Sequence, residues 1–160
     1  MAPPSLKEEV GKRTGFESPE QEAFLNVMRT AAFLEAGFGR LFKKHGLSMA
    51  TYNVLRILRG SGETSPIGTT CGQIRDMMVT PVPDVTRLVD RLETQDFVSR
   101  IRSKEDRRVV HVKVTERGQA ILHQLDDPVV ELHRSQLNHM NPDALRSLND
   151  LLVEARSARE

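Results

Sequence analysis

Apolar residues recur at helical spacing through the first third of the chain, at Phe24, Val27, Met28, Ala31, Leu34, Phe38, Leu41 and Phe42. Ser18-Pro19-Glu20-Gln21 ahead of them offers a capping oxygen, a proline at the first helical position and a Gln placed for a capping box. Gly46, after Lys43-Lys44-His45, supplies the stop, so a long helix is predicted over 18–46. Ser48 caps a second helix whose inner face is Met49, Tyr52, Leu55 and Leu58, and Gly60 opens a polar loop to Thr69. Thr70-Cys71-Gly72-Gln73 is a further capping box, predicting a short helix to about Val79. Two prolines in Thr80-Pro81-Val82-Pro83-Asp84 forbid continuation but suit a new start, so a fourth helix is predicted from about Pro83. Val85, Leu88, Val89 and Leu92 form its apolar stripe, and Thr86, Arg87, Asp90 and Arg91 lie opposite.

Beyond Asp96 the period changes to two. Val98, Arg100 and Arg102 alternate with Phe97, Ser99 and Ile101, and after the polar stretch Ser103 to Arg108 a second alternating run follows from Val109 to Val114. The pair reads as a hairpin. Thr115-Glu116-Arg117-Gly118 opens the last helical region, with Ala120, Ile121, Leu122 and Leu125 at core spacing; Asp127-Pro128 is expected to kink or restart it. Asn141-Pro142 caps a final helix carrying Leu145, Leu148, Leu151 and Leu152. The fold class is therefore mainly α with a small β-hairpin, and two short helices, an amphipathic helix and a ribbon follow one another as in a winged helix-turn-helix.

Composition sharpens this picture in three places. A hydrophobic share of 38% in 160 residues is low for a compact monomer, so a partner chain is expected to complete part of the core. The net charge is only +1, yet between Phe97 and Arg117 seven Lys or Arg face three acids. A cationic hairpin tip beside an amphipathic helix is placed to reach phosphate or a narrow minor groove, with Arg107 the first choice for that contact. Arg87 and Arg91 on the helix are the side chains best suited to grip guanine O6 and N7. Thirdly, a single cysteine, Cys71, excludes an internal disulfide framework and, with an N-terminus bearing acids and prolines instead of an apolar run, predicts the cytoplasm. No stretch is apolar enough to span a bilayer.

Val85-Thr86-Arg87-Leu88-Val89-Asp90-Arg91-Leu92-Glu93, then Asp106-Arg107-Arg108, then Val114-Thr115-Glu116-Arg117-Gly118 resemble, in order and spacing, the MarR family of bacterial regulators. The similarity covers roughly residues 20–155. It implies a homodimer in which 18–46 and 116–160 supply the dimerisation helices, 47–115 the winged DNA-binding domain, and 1–17 a flexible arm. It further implies a repressor on a pseudo-palindromic double-stranded DNA operator, released by a small, often aromatic, effector. By position, Thr86 and Arg87 match the family's base- and phosphate-contacting residues, Arg107 its wing tip, and Arg108 the arginine that braces the wing. Pro83, Arg91 and Lys104 complete the expected DNA-binding set. The chain departs from the family where the reading helix opens, with Pro81-Val82-Pro83-Asp84 in place of the Ser or Thr residues of many members, which removes hydroxyl donors and adds the negative charge of Asp84; Asp84 is expected to stabilise the helix N-terminus or to pair with Arg108.

Other chemistries are weak. The basic hairpin taken alone reads first as a solvated face, and it is the reading helix and the family pattern beside it that favour DNA contact. Cys71 opens a helix but has no resolving partner in the chain, so a redox switch is disfavoured. The five histidines lack tight ligand spacing, so no metal and no cofactor are expected. Phe42, His45 and Tyr52 bracket the turn between the first two long helices, where an aromatic box with polar tips suits an aromatic effector, while core packing accounts for Phe38 and Met49. No phosphate loop or nucleophile elbow supports an enzyme. The alternative from another class is a dimeric interaction module of the same fold without specific DNA binding.

Overall fold

A computed structural model describes residues 4–62 and 65–157 of the chain. In chain order the elements are α1 (Leu6–Glu9), α2 (Pro19–Lys43), α3 (Met49–Gly62), β1 (Thr69–Thr70), α4 (Cys71–Met77), α5 (Val85–Thr94), β2 (Val98–Arg102), β3 (Val110–Val114), α6 (Glu116–Leu137) and α7 (Pro142–Arg156). They group into two compact units, Met1–Gln119 and Ala120–Glu160.

In the first unit, side-chain caps fix most helix starts as the sequence predicts. Ser18 accepts from the Gln21 amide, and Thr70 and Gln73 form a reciprocal capping box. Ser48 and Thr51 likewise cap each other's amides, at 2.7 and 3.2 Å. Gly46 ends the α2 turn at φ +72°, the left-handed region that a residue without Cβ adopts without strain. The core is made by Val54, Leu55 and Leu58 of α3, Ile74 of α4, Val85, Val89 and Leu92 of α5, Val98 of β2 and Val112 of β3, all buried. α5 therefore packs on α3, α4 and β2 with the apolar stripe read from the sequence.

Several boundaries differ from expectation. α5 begins at Val85, not Pro83, because Asp84 is the cap: its backbone is extended and its carboxylate accepts from the Arg87 amide. α3 runs on through Gly60 to Gly62. The loop beyond it is not wholly irregular, since Thr69 and Thr70 pair with Val112 and His111 and turn the hairpin into a three-stranded antiparallel sheet ordered β1-β3-β2. In the segment expected as a flexible arm, Leu6–Glu9 form one capped helical turn, Leu6 is buried, and Glu9 pairs with Arg29 of α2.

α6 spans the boundary between the units and carries Pro128 inside a single helix, so the proline does not restart it. In the second unit Leu122, Leu125 and Val129 are buried, whereas α7 buries none of its residues. Phe24, Val27 and Met28 of α2, assigned to a core face from their spacing, are 63%, 47% and 56% exposed in the single chain. Spacing identifies an apolar face but not which molecule covers it.

The Thr-x-x-Gly opening of α6 has a steric cause. The Thr115 hydroxyl accepts from the Gly118 amide at 3.0 Å and donates to the Asp96 carbonyl at 2.7 Å. A Cβ on Gly118 would sit 2.2 Å from the Phe97 carbonyl oxygen and 2.7 Å from Val114 Cγ2. Gly118→Ala is accordingly expected to destabilise the fold by about 1–3 kcal/mol, as overpacking does. Gly60→Ala, in open space on α3, should stabilise it by about 0.5–1 kcal/mol. Urea unfolding of both variants checks the contrast.

Candidate nucleic-acid interface

α5 and the β2–β3 hairpin present one continuous solvent-facing edge, and each functional side chain on it has a local reason for its position. Once Val85, Val89 and Leu92 are buried, 3.6-residue geometry turns Thr86, Arg87, Asp90 and Arg91 outward, and all four are exposed. Arg87 is 86% exposed and only loosely paired, 4.0 Å from Asp84. Asp84 is thus occupied with capping and with Arg87, which answers one of its two expected roles; its cap also removes the Arg87 amide from the donors available at the helix start. Arg91 leans the other way, donating to the Gly46 carbonyl at 3.5 Å, where Gln95 also donates at 3.2 Å.

Taken alone α5 with its cap is poorly suited to a polyanion, because Asp84, Asp90 and Glu93 outnumber Arg87 and Arg91. Arg100 on β2 corrects this. Its guanidinium lies 2.6 Å from Asp90 and 2.6 Å from Glu93, and it donates to the Thr86 carbonyl at 3.4 Å. Burial acts against its charge, but the hydrogen bond to Asp90 and the field of Glu93 outweigh burial and raise its pKa above the ordinary arginine value. The bridge sets one wing charge against two helix carboxylates, so that with Arg100 three guanidiniums face the three acids of α5 and its cap. Sequence alternation placed Arg100 among the wing's positive charges without revealing that it is spent on the helix; the signal available was an Arg directly across from an i, i+3 acidic pair.

The wing tip is held by its own polar side chains. Ser103 Oγ accepts from the amides of Glu105 and Asp106 at 3.2 and 3.3 Å, and Asp106 accepts from the Arg108 amide at 2.9 Å. A backbone pair between Ser103 and Val109 closes the turn. Lys104, Arg107 and Arg108 are consequently displayed on an ordered turn, all exposed. A cavity of about 580 Å³ opens between the start of α4, α5 and the base of the wing, lined by Thr70, Cys71, Thr86, Asp90, Arg100, Arg108, Val109 and Val110. Cys71 is a half-buried free thiol on its wall. Among the described residues no group of three or more His, Cys, Asp or Glu is arranged to hold a metal.

At the expected effector box, Phe42 is buried and stacks on Tyr52 with ring centroids 4.2 Å apart and planes 20° from parallel. The Phe38 and Phe42 ring centroids are 5.9 Å apart, and His45 is half-buried at the end of α2. The structure brings Thr86, Arg87, Lys104, Arg107 and Arg108 to the α5–wing edge, sets Pro83 exposed just ahead of α5, and directs Arg91 toward the α2–α3 turn.

The MarR family model matches residues 47–110, the stretch from the end of the α2–α3 turn to the start of β3. A MarR transcription factor from Planctomyces limnophilus is 39% identical, the similarity covering 86% of this chain and 98% of that one, with a TM-score of 0.66. The chain belongs to the MarR family. The HTH-type regulator YpoP of Bacillus subtilis is 31% identical over 71% of this chain and 77% of its own length. A MarR variant from E. coli, solved with operator DNA, shares the fold at a TM-score of 0.71 and 22% identity over 81% of this chain and 89% of that one. This MarR-family chain is a winged-helix transcription regulator and not an enzyme, and no helix among its described residues is long and apolar enough to cross a membrane.

Arg100→Met should remove the charge compensation while keeping the stem. It is expected to lower stability by roughly 1 kcal/mol, since the site is only partly shielded. A double-mutant cycle with Asp90→Asn should show a coupling of about 0.5–1 kcal/mol that shrinks as salt is raised, measured by urea denaturation.

Proposed function

We propose that this MarR-family regulator binds a pseudo-palindromic operator as a homodimer, places α5 in the major groove of each half-site, and represses transcription until a small aromatic acid releases it. The observation that carries the reading is the shared edge of α5 and the wing, on which Arg100 engages Asp90 and Glu93 while Arg87, Lys104, Arg107 and Arg108 are exposed. Arg87 then reads a base or phosphate, Arg107 reaches the minor groove, and Lys104 and Arg108 hold the backbone. Pro83 and Thr86 contact the groove beside them, with Arg91 at its margin. That a MarR of the same fold from E. coli was solved with operator DNA supports DNA as the partner.

A second copy would cover the apolar side chains the single chain leaves outside. These are Phe24, Val27, Met28 and Phe33 on α2, and separately Val130, Leu151 and Val153 in the second unit. The segments 18–46 and 116–160 are accordingly the dimerisation helices, and a two-fold dimer matches a pseudo-palindromic site.

For the effector, Bordetella bronchiseptica BpsR, 19% identical with a TM-score of 0.74 over 85% of this chain and 99% of its own, has DNA binding regulated by 6-hydroxynicotinic acid. Two positions suit such a ligand. In the cavity beside α5, Arg100 and Arg108 would meet a carboxylate and Val109 and Val110 a ring; an acid there competes with Asp90 and Glu93 for Arg100 and loosens the helix. The other is the Phe42, His45 and Tyr52 cluster, where a ring would have to displace the present stack.

Selection from a random-sequence duplex library tests the reading, because an interaction module of the same fold enriches nothing. On the selected operator, Arg87→Ala should cost about 1–3 kcal/mol with base-dependent loss, and Arg107→Ala should weaken all sequences and reduce the slope of log K against log salt by about one unit. Calorimetry with 6-hydroxynicotinate on DNA-free protein separates the effector positions: Arg108→Ala abolishes binding in the cavity, and Tyr52→Ala abolishes it at the aromatic cluster. Sedimentation should give a dimer that Phe24→Glu/Met28→Glu converts to monomer.

A further inference from the structure

The turn from α4 to α5 is unusually apolar for a surface expected to face nucleic acid. Val79 is 86% exposed, Met77 is 46% exposed, and Pro81 and Pro83 are also exposed. The turn is not loose, since the Val79 amide donates to Asn53 Oδ1 of α3 at 3.0 Å. Its donors are few. Pro81 and Pro83 carry no N–H, the Val79 amide is spent on Asn53, and Asp84 both occupies the Arg87 amide and sets a negative charge at the start of α5. Of the side chains from Met77 to Pro83, only the Thr80 hydroxyl can donate a hydrogen bond.

A surface with this chemistry gains little from phosphates or from base acceptors, and an exposed apolar patch continuous with a binding edge marks a contact. In the major groove the one apolar feature of a base pair is the 5-methyl group of the pyrimidine. We propose that the Val79–Pro83 turn reads pyrimidine 5-methyl groups, those of thymine in unmodified DNA, with Val79 and Pro83 as the contacting side chains. The inference rests on the proposed placement of α5 in the major groove. It assigns sequence selection at the start of the reading helix to apolar contact, with hydrogen-bonded readout left to Thr86 and Arg87.

The test uses the full-length protein and the operator it selects. Each thymine of a half-site is replaced in turn by deoxyuridine, which removes only the methyl. At one or two positions affinity should fall about fourfold, the worth of burying one methyl-sized group. Val79→Ser and Pro83→Ala, both exposed and so not expected to disturb folding, should bind the thymine and uracil duplexes equally at their respective positions. A cytosine at a sensitive position should bind better when 5-methylated, which separates methyl recognition from recognition of thymine's carbonyl. Tight binding with no loss on any uracil substitution overturns this proposal and leaves the DNA-binding reading standing. A selection that enriches no sequence removes the DNA-binding reading, and this one with it.

Discussion

Arg100 ties the two halves of the binding edge together. α5 with its cap carries three carboxylates against two guanidiniums, and the wing beside it carries an excess of cations. A single guanidinium at 2.6 Å from both Asp90 and Glu93 joins β2 to α5 and spends one wing charge on two helix acids. The bridge joins the helix that carries Arg87 to the ribbon that carries the wing tip, and side chains on a packed helix and a wired turn are held better than on a free loop.

The rest of the first unit serves this constraint. Val85, Val89 and Leu92 press α5 onto α3, α4 and β2, and Gly118 lets the first turn of α6 come against the Phe97 carbonyl where β2 begins. Ser103 and Asp106 keep the tip from fraying. The cavity at the base of the wing borders the same bridge, with Asp90 and Arg100 in its lining.

Much of this was legible in the sequence because it is written in short-range rules. Capping residues at Ser18, Ser48, Thr70 and Asn141 and the 3.6-residue stripes located the helices, and the change of period at Asp96 located the wing. What was not legible depends on through-space partners. A strand as short as Thr69–Thr70 has no periodicity to detect, and only its pairing with β3 defines it. Asp96 adopts a left-handed φ of 59° between α5 and β2, a role composition assigns to glycine. Pro128 continues within α6 although its ring removes one backbone bond, because neighbouring turns maintain the helix. Arg100 was counted as one positive charge among seven; its role needed the distance to Asp90 and Glu93. Phe24, Val27 and Met28 show the converse limit, for their spacing marks a face to be buried while a single chain leaves it open.

Hydrogen–deuterium exchange of the full-length protein, with and without a saturating amount of its selected duplex, tests the central claim most directly. If α5 and the wing form one DNA-contacting edge, protection should rise together in peptides covering Pro83–Arg91 and Ser103–Arg108. Protection confined to other segments, with both of these unchanged, would contradict it.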